Sequence, residues 1–254
     1  MKGVVAFLSV LALAAVFCQG FAKIDPKTIV GYWPLDEGVG DIAKDASGNG
    51  HDGKLINGPK WVDGKFGKAL RFDGQQTYVE ISSISTPPIF TFACWFKKLG
   101  KGQGGVPRIH SRGSGPWSIE FGIGLTHAPV ANQLGFWLSF TDGSSTGWHP
   151  VFEPKDGIWY HTAFSYDGEE VAVYVDGKKL VSREEWANRK VNSGISRIGC
   201  HAPGGDCFDG VIDEVVIFNV ALTEAEVLDL MKGVLVAVSP VGKLATVWGA
   251  VKNR

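Results

Sequence analysis

The sequence predicts an all-β protein, a sandwich of two antiparallel sheets with one short C-terminal helix. Three observations carry this prediction. Strand-like apolar runs recur every ~8–12 residues with turn residues between them. Glycine supplies 34 of the 254 residues, which fits a chain with many tight turns. Only one stretch carries helix-start chemistry, near residue 223.

The elements follow in order. "IVGYWPL" (29–35) reads as the first strand, stopped by Pro34 and the turn "DEGVGD". "YVEIS" (78–82) and "FTFACWFKKL" (90–99) read as strands. In the second, Phe90, Phe92, Cys94 and Phe96 share one face, and Thr91, Ala93, Trp95 and Lys97 share the other. "WSIEFGIGL" (117–125) and "QLGFWLSF" (133–140) follow. Residues 158–182 hold three strand-like runs joined at Asp167-Gly168 and Asp176-Gly177. Asp-Gly between alternating runs marks a hairpin, because both residues tolerate positive φ. A late strand, "DGVIDEVVIFN", spans 209–219. Thr223 and Glu226 then form a capping box ahead of Val227, Leu228 and Met231. That helix should run to about Lys232 and stop at Gly233.

The first 22 residues read as a secretory signal peptide: Lys2, then an apolar run from Val4 to Phe17 that is too short to span a bilayer, then Gly20 and Ala22 before a cut at Lys23. A lipoprotein cut before Cys18 would want a small residue at 17, where Phe17 stands. The chain is therefore expected to be secreted. Without the leader it carries 24 basic and 26 acidic side chains, which argues against nucleic acid and anionic membrane surfaces as partners. No later run is long enough for a membrane span. Cys200 and Cys207 flank the turn-rich "HAPGGD", where secretion would permit a disulfide. Cys94, in a strand, is expected to be a free buried thiol.

Five blocks occur in a particular order: "VGYWPLDEGVGDIAKDASGNGHDGKLING", "GKFGKALRFDGQQTYVEI", "FTFACWFK", "WYHTAFSYDGEEVAVYVDGKKL" and "DGVIDEVVIFNVALTEAEV". Together they resemble the laminin-G-like jelly roll of the concanavalin A-like lectin/glucanase superfamily, over roughly residues 30–232. The domain is expected over 23–233, followed by an apolar tail over 234–254. The resemblance implies a mostly non-catalytic binding role in secreted proteins, with sugars or proteins as ligands and often a structural calcium. It makes Trp33, Trp61, Trp95 and Trp159 packing positions.

"DASGNGHDG" (45–53) is the first candidate site. Asp45, Ser47, Asn49 and Gly50 match the opening half of an EF-hand-type calcium loop, but the twelfth position is Ile56 rather than Glu. A half-loop needs a distant carboxylate, and the resemblance offers Asp213. The expected calcium ligands are Asp45 and Asp213 by side chain and Asn49 and His51 by carbonyl. The competing reading is an Asx-turn, with the acidic side chains bonded to backbone. Alternation places Asp213 with Val211, Val215 and Ile217 on one face and Glu214 with Ile212, Val216 and Phe218 on the other.

Glycoside hydrolysis needs two carboxylates facing one another across the bond. Adjacent Asp213 and Glu214, single Glu120 and the hairpin pair Glu169 and Glu170 do not supply such a pair. His161, on a strand, reads as structural. The ligand-binding candidates are aromatics beside loops, Arg112 with Trp117 and Trp148 with His149, because Trp joins a large apolar face to a hydrogen-bonding edge. The expectation is a non-catalytic secreted module that binds carbohydrate and carries structural calcium. The alternative is a protein-interaction or adhesion module of the same fold, with an extracellular protein as partner.

Overall fold

The computed structural model describes residues 24–81, 84, 87–114, 117–124, 132–191, 194–201 and 205–233. The leader and the tail expected from the sequence lie outside them. In chain order the strands are β1 (Ile29–Trp33), β2 (Ile42–Ala43), β3 (Gly53–Ile56), β4 (Lys60–Asp63), β5 (Lys68–Asp73), β6 (Tyr78–Ile81), β7 (Phe90–Lys98) and β8 (Arg108–Ser114). They continue as β9 (Trp117–Gly124), β10 (Gln133–Leu138), β11 (His149–Phe152), β12 (Trp159–Tyr166), β13 (Val171–Val175), β14 (Lys178–Arg183), β15 (Ser196–Ile198) and β16 (Asp209–Phe218). Helix α1 (Glu224–Leu230) closes the described part.

Two eight-stranded antiparallel sheets face each other. One runs β14-β13-β12-β7-β16-β5-β4, with β1 also on β16; the other runs β11-β10-β9-β8-β15-β6-β3-β2. Phe90, Phe92, Cys94 and Phe96 point into the space between them, as the alternation predicts. Phe164 of β12 stacks on Phe121 and Phe136 from the opposite sheet, with centroids 5.6 and 5.2 Å away. Offset-stacked rings at such distances add attraction beyond their buried area.

The other face of β7 forms a second core. Ala93, Ala163 and Ala172 lie under α1, which buries Val227 and Leu230 against them together with Val216 and Phe218. Three alanines in adjacent strands let the helix approach the sheet closely. The capping box is present: Thr223 Oγ1 accepts from Glu226 N, and Glu226 Oε2 accepts from Thr223 N at 2.8 Å. The helix ends at Leu230, two residues earlier than predicted, and a turn carries the chain to Gly233 at φ 72°. The Asp-Gly hairpins join β12, β13 and β14; Asp176 and Gly177 both have positive φ (48° and 78°).

Strand β16 departs from strict alternation. Its register against β7 shifts between Asp213 and Val216, and Glu214 adopts φ 52°. This bulge adds one residue and inverts the parity beyond it. Asp213 therefore does not share a face with Val215 and Ile217: those two join Ile212 in the main core, while Val216 and Phe218 lie under the helix. The bulge falls where the strand's free edge changes partner, from β5 along Asp209–Ile212 to β1 along Val215–Phe218.

A carboxamide-lined pocket beside the disulfide

The acidic turn is held by backbone amides. Asp45 Oδ1 accepts from Tyr32 N (3.0 Å) and Ser47 N (2.9 Å), and Oδ2 accepts from His51 N (2.9 Å). Asn49 Nδ2 donates to the carbonyls of Ile29 and Val30, and the His51 carbonyl accepts from Trp33 Nε1 at 2.8 Å. Asp213 serves another segment. It is fully buried, its Oδ2 accepts from Lys65 N (2.8 Å) and Phe66 N (3.0 Å), and its Oδ1 accepts from Glu214 N. Asp36 holds the same 64–68 turn from its other end, through Lys68 N at 2.9 Å.

Asp45 and Asp213 thus accept from different backbone segments. Three of the roughly four lone-pair sites of the Asp45 carboxylate are taken by amides. Among the described residues no three His, Cys, Asp or Glu side chains gather as a metal centre. A hard cation, which wants six to eight oxygens, would have to draw most of them from carbonyls. Tyr32 joins this turn to β16: its amide donates to Asp45 and its hydroxyl donates to Glu214. Burial, then the charges of Glu214, Asp36 and Asp213, push the Tyr32 hydroxyl well above its ordinary range, so it stays a donor.

The aromatic-loop candidates separate. Arg112 is buried between the sheets and donates to the Ile84 carbonyl at 3.0 Å; burial lowers its pKa to about 10. The side chain of Trp117 lies outside the described part. Trp148 is half-buried, its ring packed on Gly135, where a Cβ would come within 2.6 Å of Cζ2. His149 stacks on Phe136 at 5.2 Å, and its Nε2 meets the Thr146 carbonyl at 2.8 Å. His161 is buried beside Trp95, ring centroids 5.3 Å apart.

Cys200 and Cys207 form the expected disulfide, and Cys94 is free and buried. The disulfide is one wall of a cavity of roughly 380 Å³. Four carboxamide residues (Asn57, Gln75, Gln76 and Gln103) and Tyr78 line the rest, together with Gly205. Each is placed by a definite contact. Pairing of β3 with β6 sets Ile56 opposite Tyr78, so Asn57 reaches the Gln76 carbonyl at 2.9 Å. Asp73 Oδ1 accepts from the amides of Gln75, Gln76 and Thr77 and from the Thr77 hydroxyl. Burial opposes its ionisation, yet these donors hold its pKa below the ordinary carboxylate value. Gln103 N donates to the Cys207 carbonyl at 3.1 Å. Gly102, at φ 70°, passes so near that a Cβ there would lie 2.3 Å from the Cys207 carbonyl oxygen. Arg197 lies over the Tyr78 ring at 4.5 Å and is bound by Glu80 Oε2 at 2.8 and 3.1 Å.

Sequence reasoning found the disulfide and missed the carboxamides. "DGQQT" (73–77) and "GKGQGG" (100–105) have plain turn composition, and only the strand pairing brings them to one place.

A laminin G family model, described as the concanavalin A-like lectin/glucanases superfamily, matches residues 73–228, more than half of the chain. The chain belongs to this superfamily. No curated protein matches it at a significant level. Among solved structures, this superfamily member resembles domain 4 of AbnA, a GH43 extracellular arabinanase from Geobacillus stearothermophilus in complex with arabinotriose. Identity is 21%, with 80% of this chain and 98% of that chain covered and a TM-score of 0.60. The binding domain of Paraclostridial Mosquitocidal Protein 1 follows at 18% identity, with 82% of this chain and 52% of that chain covered and a TM-score of 0.64. Trypanosoma rangeli sialidase in complex with the inhibitor DANA is 17% identical, with 80% and 32% covered and a TM-score of 0.58. At these identities the likeness is one of fold, and function has to be argued from the site.

Proposed function

We propose that this lectin/glucanase-superfamily protein is a secreted, non-catalytic module that binds carbohydrate. The observation that carries the reading is the pocket of four carboxamide residues and one tyrosine on a rigid two-sheet frame. A carboxamide both donates and accepts hydrogen bonds, as a sugar hydroxyl does. A tyrosine adds an apolar ring face with a polar edge. The absence of catalysis is part of the same proposal. Asp213 is fully buried and turned to three amides, and Glu214 is bonded to Tyr32, so this adjacent acidic pair does not face a substrate. Calcium enters the proposal as a stabiliser of the Asp45 turn, using the lone-pair site its three amides leave and carbonyl oxygens.

Calorimetric titration of the secreted protein against neutral oligosaccharides tests the reading. Arabinotriose is a reasoned first member of the panel, since the arabinanase domain of like fold was solved with it. Saturable binding is expected. No heat of binding to any oligosaccharide at millimolar concentration, with calcium supplied, would discard the sugar reading in favour of a protein partner.

A further inference from the structure

We infer that the pocket beside the disulfide takes an uncharged sugar ring and discriminates against acidic sugars, resting on the carbohydrate reading above. Among the described residues, the lining supplies neutral donors and acceptors from Asn57, Gln75, Gln76 and Gln103 and no charged side chain. The cation that lies over Tyr78 is Arg197, and its side chain is already engaged. Its guanidinium binds Glu80 twice, reaches the His201 carbonyl at 3.3 Å and covers the Tyr78 ring.

Two carboxylates stand behind the lining. Asp73 carries the turn that presents Gln75 and Gln76. Asp206, between Gly205 and Cys207, accepts from the amides of Gly105 and Val106. Its contact with Arg108 is long, 3.9 Å. A sugar carboxylate would lose its hydration and meet neutral amides with like charges beyond them, which is unfavourable without a paired cation. The size also selects. About 380 Å³ is near the small end of ligand pockets, which run from about 300 to 1,000 Å³. It suits one or two sugar units at a chain end rather than a long strand. Arg197 is then a positioning residue, holding the Tyr78 ring at the pocket without touching the ligand.

The test is an amide-detected NMR titration of the whole secreted protein with matched pairs, galactose against galacturonic acid and glucose against glucuronic acid. At least one neutral sugar should shift the side-chain amides of Gln76 and Gln103, and its uronic acid should bind about tenfold more weakly, near 1.4 kcal/mol. Gln103→Ala should weaken the neutral sugar about fivefold, one lost hydrogen bond. It lies on an exposed loop, so it guards against misfolding of Tyr78→Ala. Arg197→Lys should retain part of the affinity that Arg197→Ala loses. Equal or tighter binding of the uronic acid at these amides overturns the inference and leaves the carbohydrate reading standing. Sugar-induced shifts confined to other residues overturn the pocket assignment with the same consequence. No shift with any sugar removes the carbohydrate reading and the inference together.

Discussion

The Tyr32 hydroxyl donates to Glu214, 182 positions further along the chain, while the Tyr32 amide donates to Asp45. One residue of the first strand therefore joins the acidic turn to the bulge of the last strand. Removing the hydroxyl with Tyr32→Phe leaves Glu214 without that donor. A loss of about 1–2 kcal/mol in urea unfolding is expected, with the slope unchanged. If Tyr32→Phe unfolds at the wild-type midpoint, the link contributes nothing to stability.

Two buried histidines set an acid limit. Burial, aided by the Arg112 charge, lowers His110 to about 3, and burial alone lowers His161 to about 3, against an ordinary 6.5. Both are neutral in the folded protein and gain a proton on unfolding below the ordinary value. The stability that depends on them is complete above pH 6.5 and falls as pH drops toward 3. The pH dependence of the unfolding free energy between pH 6 and pH 4.5 should include an uptake of up to two protons from this pair. His161→Phe should reduce that contribution to one; an unchanged slope in this variant would remove His161 from the account.

The disulfide closes a short loop, with a sequence separation of seven. The chain-entropy relation gives about 2.5 kcal/mol for such a loop. Cys200→Ser with Cys207→Ser should lower stability by roughly that amount and weaken ligand binding, because the bridge is a wall of the pocket. Unaltered affinity in the double variant would place the ligand elsewhere.

Chelation decides the role of the Asp45 turn. With calcium bound, EGTA should lower the melting temperature, and calcium should restore it in a concentration-dependent way. Asp45→Ala should abolish the difference. A wild-type melting curve that EGTA leaves in place means the three amides suffice for the turn.

The fold was legible because its signals are local and periodic. The alternation of residues 90–97, the Asp-Gly turns at 167–168 and 176–177, and the Thr223–Glu226 box each specify their element with nearby residues. The faces of β16 were misassigned because strict alternation cannot foresee a bulge, and the positive φ falls on Glu214, which carries no glycine-like marker. Asp213 is fully buried. Its compensation comes from the amides of Lys65 and Phe66, about 150 residues away, which no local pattern reveals. The pocket was illegible for a related reason. Its polar residues are ordinary turn residues taken one at a time, and Arg112, which looked like surface chemistry in sequence, proves to be interior.

Strand β16 has a consequence for biosynthesis. It lies between β7 on one edge and β5 and β1 on the other, and β1 has no other strand partner among the described residues. The opening strand must therefore wait, unpaired, until residues 209–218 have left the ribosome. Before then β5 and β7 each present an open edge, the kind of template on which chains aggregate. Pairings of such sequence separation are slow to form. The sheet built on β16 should thus be completed only after residues 209–218 have been made.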